Sequence, residues 1–224
     1  MPSAPIPNVG VPWKSWDCAI GAIGIPRSGK TYLLRQRVAE IRARTTCYAI
    51  AHDPNGDWQG MRASSRDELL GHLARHPGSL HVLACDDGLE LIAAAELIAS
   101  QSRRAAGVDA DRGVGHGRYM VPVLVVIDEA ADVGGMSPHH LAPQFRRAYL
   151  RRRHLGLGFL WGSQRVSLVH PVLYDSSTEL NIFRCNDEQA IERMRRAGVP
   201  REITDAAPTL AQGEHRTWRP WGTA

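Results

Sequence analysis

The 224-residue chain is poor in lysine. Lys14 and Lys30 are the only two among 27 basic residues, so arginine supplies almost all of the positive charge. Aromatic residues make up 6% of the chain. The four cysteines, Cys18, Cys47, Cys85 and Cys185, are far apart and form no CxxC pair. Their spacing therefore excludes a zinc ribbon and leads us to expect buried, reduced thiols. Ten histidines make no HxH or HExxH pattern, which argues against a metal site built from protein ligands. No apolar run approaches the roughly 18 residues of a membrane-spanning helix. The first residues, Met1 to Val11, lack the basic start and apolar centre of a secretory signal. The net charge of +4 permits a nucleic-acid partner without establishing one.

What remains is an ordinary globular composition, 43% hydrophobic and 22% charged, long enough for one full core. The proline-rich first 16 residues read as an extended arm, and residues 17–224 as a single α/β domain. Short apolar runs alternate with segments of helical spacing, which predicts βαβ units around a mainly parallel sheet flanked by helices. Strands are expected at Cys18–Gly24, Cys47–His52, Leu80–Cys85, Val121–Asp128, Leu157–Ser163 and Leu180–Arg184, with a short one near His215–Trp218. Leu34, Val38 and Ile41 share one helical face, as do Leu91, Ala94, Ala95 and Ile98. Further helices are expected over 138–154 and 187–197. The stretch Arg103–Arg118, rich in Gly, Asp and Arg, reads as a long loop, a length that is uncommon without a function.

Two motifs carry chemistry. Gly24-Ile25-Pro26-Arg27-Ser28-Gly29-Lys30-Thr31 fits GxxxxGK[ST] between an apolar run and a helix. In that context the glycines let backbone amides wrap phosphate oxygens, aided by the start of the next helix. Residues Gly24, Pro26, Arg27, Ser28, Gly29, Lys30, Thr31 and Tyr32 are the expected nucleotide-binding set. Lys30 is assigned to the β- and γ-phosphates and Thr31 to Mg²⁺. A compact ammonium on a flexible stem suits that place, in a chain that otherwise uses arginine. The second motif is Val121–Glu129, an almost wholly apolar run ending in Asp128 and Glu129. Such a run reads as a central parallel strand, and its C-terminal end is where α/β sheets bind ligands. Asp128 is assigned to Mg²⁺ and Glu129 to the attacking water. A nucleoside phosphate and Mg²⁺ are thus the expected ligands.

Beyond these two motifs, the chain resembles the FtsK–HerA superfamily of RecA-like DNA-pumping ATPases, which includes genome-packaging ATPases of membrane-containing viruses. The likeness rests on Arg153, then Gly156, ahead of a strand that ends in Ser163-Gln164-Arg165-Val166-Ser167, with Ser163 where the family usually has Thr. It rests also on Asp53-Pro54-Asn55-Gly56 after the second strand and on Leu210-Ala211-Gln212-Gly213-Glu214 near the end. The resemblance spans roughly residues 17 to 219. It implies a RecA-like core, with ATP as the nucleotide and Gln164 as a sensor of the γ-phosphate or lytic water. It further implies that Arg153 is an arginine finger reaching a neighbouring subunit, with Arg147, Arg151, Arg152, Arg165 and Arg184 as rivals. The activity implied is ATP-driven translocation of double-stranded DNA through a homo-oligomeric ring, expected to be a hexamer. The larger cellular members carry extra domains that this chain does not show, which points to viral genome packaging. A cellular or plasmid-borne motor is the alternative. The expected setting is the host cytoplasm or the virion packaging vertex, with capsid or vertex proteins among the partners.

Other readings stay open at this level. Arg103, Arg104, Arg112, His116 and Arg118 are candidates for sequence-independent DNA contact, and a solvated loop is the plain alternative. The turn Gly134–Ser137, with His139 and His140, is a second candidate. Trp13 and Trp16 can be read as an adenine platform, or as filling a surface groove or a subunit contact. A small-molecule P-loop kinase, or a nucleotide-dependent assembly factor, would share the phosphate loop.

Overall fold

A computed structural model describes residues 10–220. The arm is therefore described only from Gly10 onward, and residues 1–9 lie outside the described part. The elements run in chain order as β1 (Val11–Pro12), β2 (Ala19–Ile23), α1 (Lys30–Arg44), β3 (Tyr48–His52), β4 (Met61–Ala63), α2 (Arg66–Arg75), β5 (Leu80–Leu83) and α3 (Gly88–Ala105). They continue as β6 (Tyr119–Met120), β7 (Val123–Ile127), a 3₁₀ turn (Ala130–Gly135), α4 (Pro143–Leu150), α5 (Arg152–Leu155) and β8 (Leu157–Ser163). The last are α6 (Pro171–Asp175), β9 (Glu179–Ile182), α7 (Glu188–Arg196), α8 (Arg201–Ala206) and β10 (Arg216–Trp218).

Eight strands form one sheet in the order β10-β9-β2-β8-β7-β3-β5-β4. Every neighbouring pair is parallel except β9 with β10. All seven expected strands are present, each within one or two residues at its ends. The apolar run of β7 explains its central place. Val123, Val125 and Ile127 face one core, packed with Leu91, Ile98, Phe145, Phe159 and Trp161. Leu124 and Val126 face the other, packed with Leu33, Leu34 and Val38 of α1 and with Trp16 and Trp58. Alternate residues of a strand point to opposite faces, so a strand covered on both sides is apolar at every position. Cys47 and Cys185 are buried and Cys18 and Cys85 half-buried, and burial pushes Cys18 up to about 12 and Cys47 up to about 11.

Three expectations need correction. The helix expected over 138–154 begins at Pro143, and Ser137 and His140 pair their backbones in a turn before it. Proline suits the first turn of a helix but not its interior, so Pro143 sets the start where Pro138 was expected to. The same segment breaks again at Arg151, between α4 and α5. From residue 10 onward the arm packs on the domain, which decides the reading of its two tryptophans. Val11 and Pro12 pair with Met120 and Tyr119. Trp13 is 3% exposed, packs with Val108 and Met120, and donates its indole N–H to the His154 carbonyl at 2.9 Å. Trp16 is buried in the α1-side core. Neither indole is open to a base, so the adenine-platform reading fails. Finally, the loop expected over 103–118 begins later, because Arg103 and Arg104 lie on the last turn of α3. The rest is held by a backbone pairing of Asp109 with Val114.

Candidate active site

The connection from β2 through α1 to β3 passes over two strand positions, which β8 and β7 fill later in the chain. The C-terminal ends of β2, β8 and β7 are therefore side by side. The phosphate loop leaves β2, Asp128 and Glu129 leave β7, and Gln164 leaves β8. Sequence-distant groups meet because parallel strands end on one edge.

Gly24 opens the loop at φ 151°, and a Cβ there would lie 2.7 Å from Phe183 Cβ and 2.9 Å from the Arg184 carbonyl oxygen. Only glycine fits such a conformation this close to a neighbouring backbone. The Lys30 ammonium is buried and donates to the Ile25 carbonyl at 2.8 Å. Burial lowers its pKa, opposed by the charges of Glu129 and Asp128. The Ser28 hydroxyl is buried with no hydrogen-bond partner among the described residues. The loop is also held from outside. Gly213 N–H donates to the Ser28 carbonyl at 3.0 Å, and the Gln212 amide to the Arg27 carbonyl at 3.3 Å. Gly24 and Ile25 N–H bond the Ser163 and Arg184 carbonyls, which leaves the amides after Pro26 to meet an anion.

Thr31 Oγ1 lies 2.9 and 3.0 Å from the two Asp128 carboxylate oxygens. The Trp58 indole N–H reaches Asp128 Oδ2 at 3.3 Å. Burial raises the Asp128 pKa, and the bonds from Thr31 and Trp58 partly offset it. Trp58 is placed by Asp53, whose carboxylate accepts the amides of Gly56, Asp57 and Trp58 at 2.9, 3.0 and 2.8 Å. Burial alone would raise the Asp53 pKa, but these amides and the Arg62 guanidinium outweigh it and hold the carboxyl below its usual range. Sequence reading gave neither Trp58 nor Asp53 a role. The AspProAsnGly turn was the signal available. A hydroxyl beside a carboxylate is a hard oxygen pair, and no group of three or more His, Cys, Asp or Glu side chains clusters for a metal among the described residues. That donor set fits Mg²⁺, which takes one or two protein oxygens and fills its shell with water and phosphate.

Glu129 turns toward β8. Its Oε1 accepts from the Ser163 hydroxyl at 2.5 Å and from Ala131 N–H at 3.3 Å, and its Oε2 accepts from Gln164 N–H at 2.9 Å. The Gln164 side chain is exposed at the same edge.

Arg165, Arg184 and the 134–140 turn follow β8, β9 and β7 and lie on the phosphate-loop edge, whereas Arg153 and the 106–118 loop lie at the opposite edge of the sheet. Arg153 sits in α5, ahead of β8, and the 106–118 loop leads toward β7. A strand of this length spans about 20 Å, so neither of these two reaches the chain's own phosphate loop. Arg153 donates to the Lys14 carbonyl at 3.2 and 3.3 Å and lies 3.6 Å from Asp17. Arg152 is buried and ion-paired with Asp17 at 2.8 Å, which removes it as a rival finger. Among the DNA candidates, Arg103 is half-buried and bonded to the Leu155 carbonyl. Arg118 bonds the Ala106 carbonyl at 3.3 Å, Arg112 lies 3.6 Å from Asp109, and His116 packs on Trp13 with ring centroids 5.4 Å apart. Arg104, Arg112, His116 and Arg118 are exposed.

No family model and no curated protein matches the sequence. Solved structures do match the fold. The genome-packaging NTPase B204 of Sulfolobus turreted icosahedral virus 2, in complex with ATP-gammaS, is 19% identical with a TM-score of 0.68, covering 91% of this chain and 92% of that one. The DNA-packaging ATPase B204 of Sulfolobus turreted icosahedral virus is 18% identical with a TM-score of 0.58, covering 90% and 96%. EssC (ATPases 2 and 3) from Geobacillus thermodenitrificans is 14% identical with a TM-score of 0.51, covering 79% of this chain and 34% of that one. At these identities the likeness is one of fold. The chain has the α/β fold of P-loop NTPases, with a large, mostly parallel sheet. No helix of the described residues is long and apolar enough to cross a membrane.

Proposed function

We propose that this chain is a Mg²⁺-dependent ATPase of the FtsK–HerA type that drives double-stranded DNA through a ring of like subunits, in the packaging of a viral genome. The observation that carries the reading is the meeting of Lys30, Thr31 with Asp128, and Glu129 with Gln164 on one sheet edge. The packaging proteins that share the fold over nearly their whole length support the biological placement.

In this reading the loop amides and Lys30 hold the phosphates, and the buried ammonium meets them with little competing water. Thr31 and Asp128 would hold Mg²⁺, which would supply neutralising positive charge to the nucleotide's phosphates. Glu129 polarises the attacking water, and the Gln164 side chain contacts that water or the γ-phosphate. Arg153, out of reach of its own nucleotide, serves a neighbouring subunit, which requires its bonds to Lys14 and Asp17 to open. A finger of this kind is worth roughly 10³–10⁵ in rate. A hexamer is the expected ring, and capsid or vertex proteins are its expected docking partners. Contact with the DNA backbone falls to Arg104, Arg112, His116 and Arg118. Arg103 is already committed to the Leu155 carbonyl.

The test is ATPase rate with and without duplex DNA for the wild-type chain, Lys30→Ala and Glu129→Gln. The expected result is DNA-stimulated hydrolysis in the wild type alone. Equal rates in all three would sink the enzymatic reading, and stimulation by a small acceptor in place of DNA would favour a kinase. Mixing Arg153→Ala with Lys30→Ala subunits should restore part of the rate if the arginine acts across the interface.

A further inference from the structure

We propose that Ser163 is a positioning residue for hydrolysis, fixing the Glu129 carboxylate so that a single acceptor direction is left for the attacking water. This rests on the reading of Glu129 as the water-polarising group. It goes beyond that reading by naming what orients the carboxylate and where the water must sit.

An ionised carboxylate offers about four acceptor directions, two on each oxygen. Oε1 uses both of its own, one for the Ser163 hydroxyl at 2.5 Å and one for Ala131 N–H at 3.3 Å. Oε2 uses one, for Gln164 N–H at 2.9 Å. One direction on Oε2 has no donor among the described residues. The short contact from Ser163 belongs to the charge-assisted class of hydroxyl-to-carboxylate bonds.

The direction of that bond is fixed by a third group. Arg165 N–H donates to Ser163 Oγ at 3.1 Å and takes an acceptor position on the hydroxyl. Ser163 is fully buried, so its proton has no water to turn to and points at Glu129. One rung further on, the Arg165 guanidinium pairs with Asp132 at 3.2 Å and ties the same two chain segments together. The Gln164 backbone holds Glu129, and the exposed Gln164 side chain makes no hydrogen bond among the described residues.

Without the hydroxyl, the Glu129 carboxylate keeps two amide donors but gains rotational freedom about its last torsion, which is broad and two-fold. Misplacing a catalytic group by even 1 Å costs on the order of 100-fold in rate while leaving ground-state binding largely untouched.

The experiment measures kcat, KM and the dissociation constant of a fluorescent ATP analogue for wild type, Ser163→Ala, Ser163→Thr and Glu129→Gln, with thermal unfolding of each. Ser163→Ala is expected to lose about 10- to 100-fold in kcat, with KM and analogue affinity within about threefold. Ser163→Thr, which keeps a hydroxyl, should recover most of that loss. If Ser163→Ala fails to fold, Ser163→Cys fills the site with a slightly larger, weakly donating thiol and should show the same kcat loss at unchanged affinity. Three results would overturn the inference: kcat in the Ala or Cys variant within twofold of wild type, an equal loss in Ser163→Thr, or an affinity loss that matches the kcat loss. If Glu129→Gln itself hydrolyses ATP at the wild-type rate, the underlying reading of Glu129 fails instead, and the two failures are told apart.

Discussion

Replacing Glu179 by Gln tests how the C-terminal strand is tied to the phosphate-loop helix. Glu179 lies on β9, 8% exposed. Its carboxylate accepts from Arg37 of α1 at 2.8 Å, from Arg219 beyond β10 at 3.1 and 2.6 Å, and from Asn181 at 2.9 Å. The substitution removes the charge and sets an amide N–H₂ against two guanidinium groups. Hydrogen bonds to charged groups contribute roughly 1.5–3 kcal/mol each. Both arginines reach water, however, and Arg37 keeps Glu40 as a partner at 2.8 Å, so a heavy solvent discount applies. About 2 kcal/mol is the expected net loss at neutral pH, which for a domain of this size lowers Tm by roughly 4–8 °C. The pH dependence gives a second reading. Burial would raise the Glu179 pKa, but Asn181, Arg219 and Arg37 outweigh it and hold the group below its ordinary value. A depressed carboxyl contributes stability that is present above its unfolded pKa and lost as pH falls through the folded one. The gap in Tm between wild type and Glu179→Gln should therefore narrow below about pH 4.3. Thermal unfolding followed by circular dichroism at pH 7.5 and in acid measures both. A change under 1 °C at pH 7.5, or a gap that widens in acid, would refute the reasoning.

Three further outcomes follow from the site. Gly24→Ala places a Cβ against Phe183 and the Arg184 carbonyl and should weaken nucleotide binding by about 100-fold or more. Gly213→Ala at φ 82° meets nothing within 4 Å, costs only about 1–2 kcal/mol of backbone strain, and should weaken binding less than about tenfold. Isothermal titration separates the two, and a reversed order would be fatal to the account of the loop. Asp53→Ala leaves three turn amides without their acceptor and should cost about 2–4 kcal/mol. A denaturant midpoint equal to wild type would show that the turn is held otherwise. If Arg104 and Arg112 contact DNA phosphates, each Ala variant should weaken binding uniformly across sequences and reduce the salt slope by about 1. An unchanged slope in filter binding would remove that residue from the DNA path.

Much of the strand framework was legible because it is written in local patterns. The two motifs need only a strand before and a carboxylate or helix after, so Lys30, Thr31, Asp128 and Glu129 could be named from neighbours in sequence. β4 and the β1–β6 pair escaped, since two or three residues carry no readable period. The start of α4 was misplaced because Pro138 and Pro143 offer the same local signal. Which of them starts the helix depends on the backbone pairing of Ser137 with His140.

The sequence by itself determined the phosphate loop, the central apolar strand and the carboxylates that end it, because each follows from the period and residue types of one short segment. Only the tertiary structure decided who stands beside whom. The insertion of β8 and β7 between β2 and β3 brings Ser163 to Glu129 and Trp58 to Asp128. Packing of the 10–17 segment buries Trp13 and engages Arg153 with Lys14 and Asp17. The parallel strands place Arg153 and the 106–118 loop a strand's length from the phosphate loop. These are contacts between residues far apart in the chain, and their energies depend on burial and geometry that no local pattern encodes.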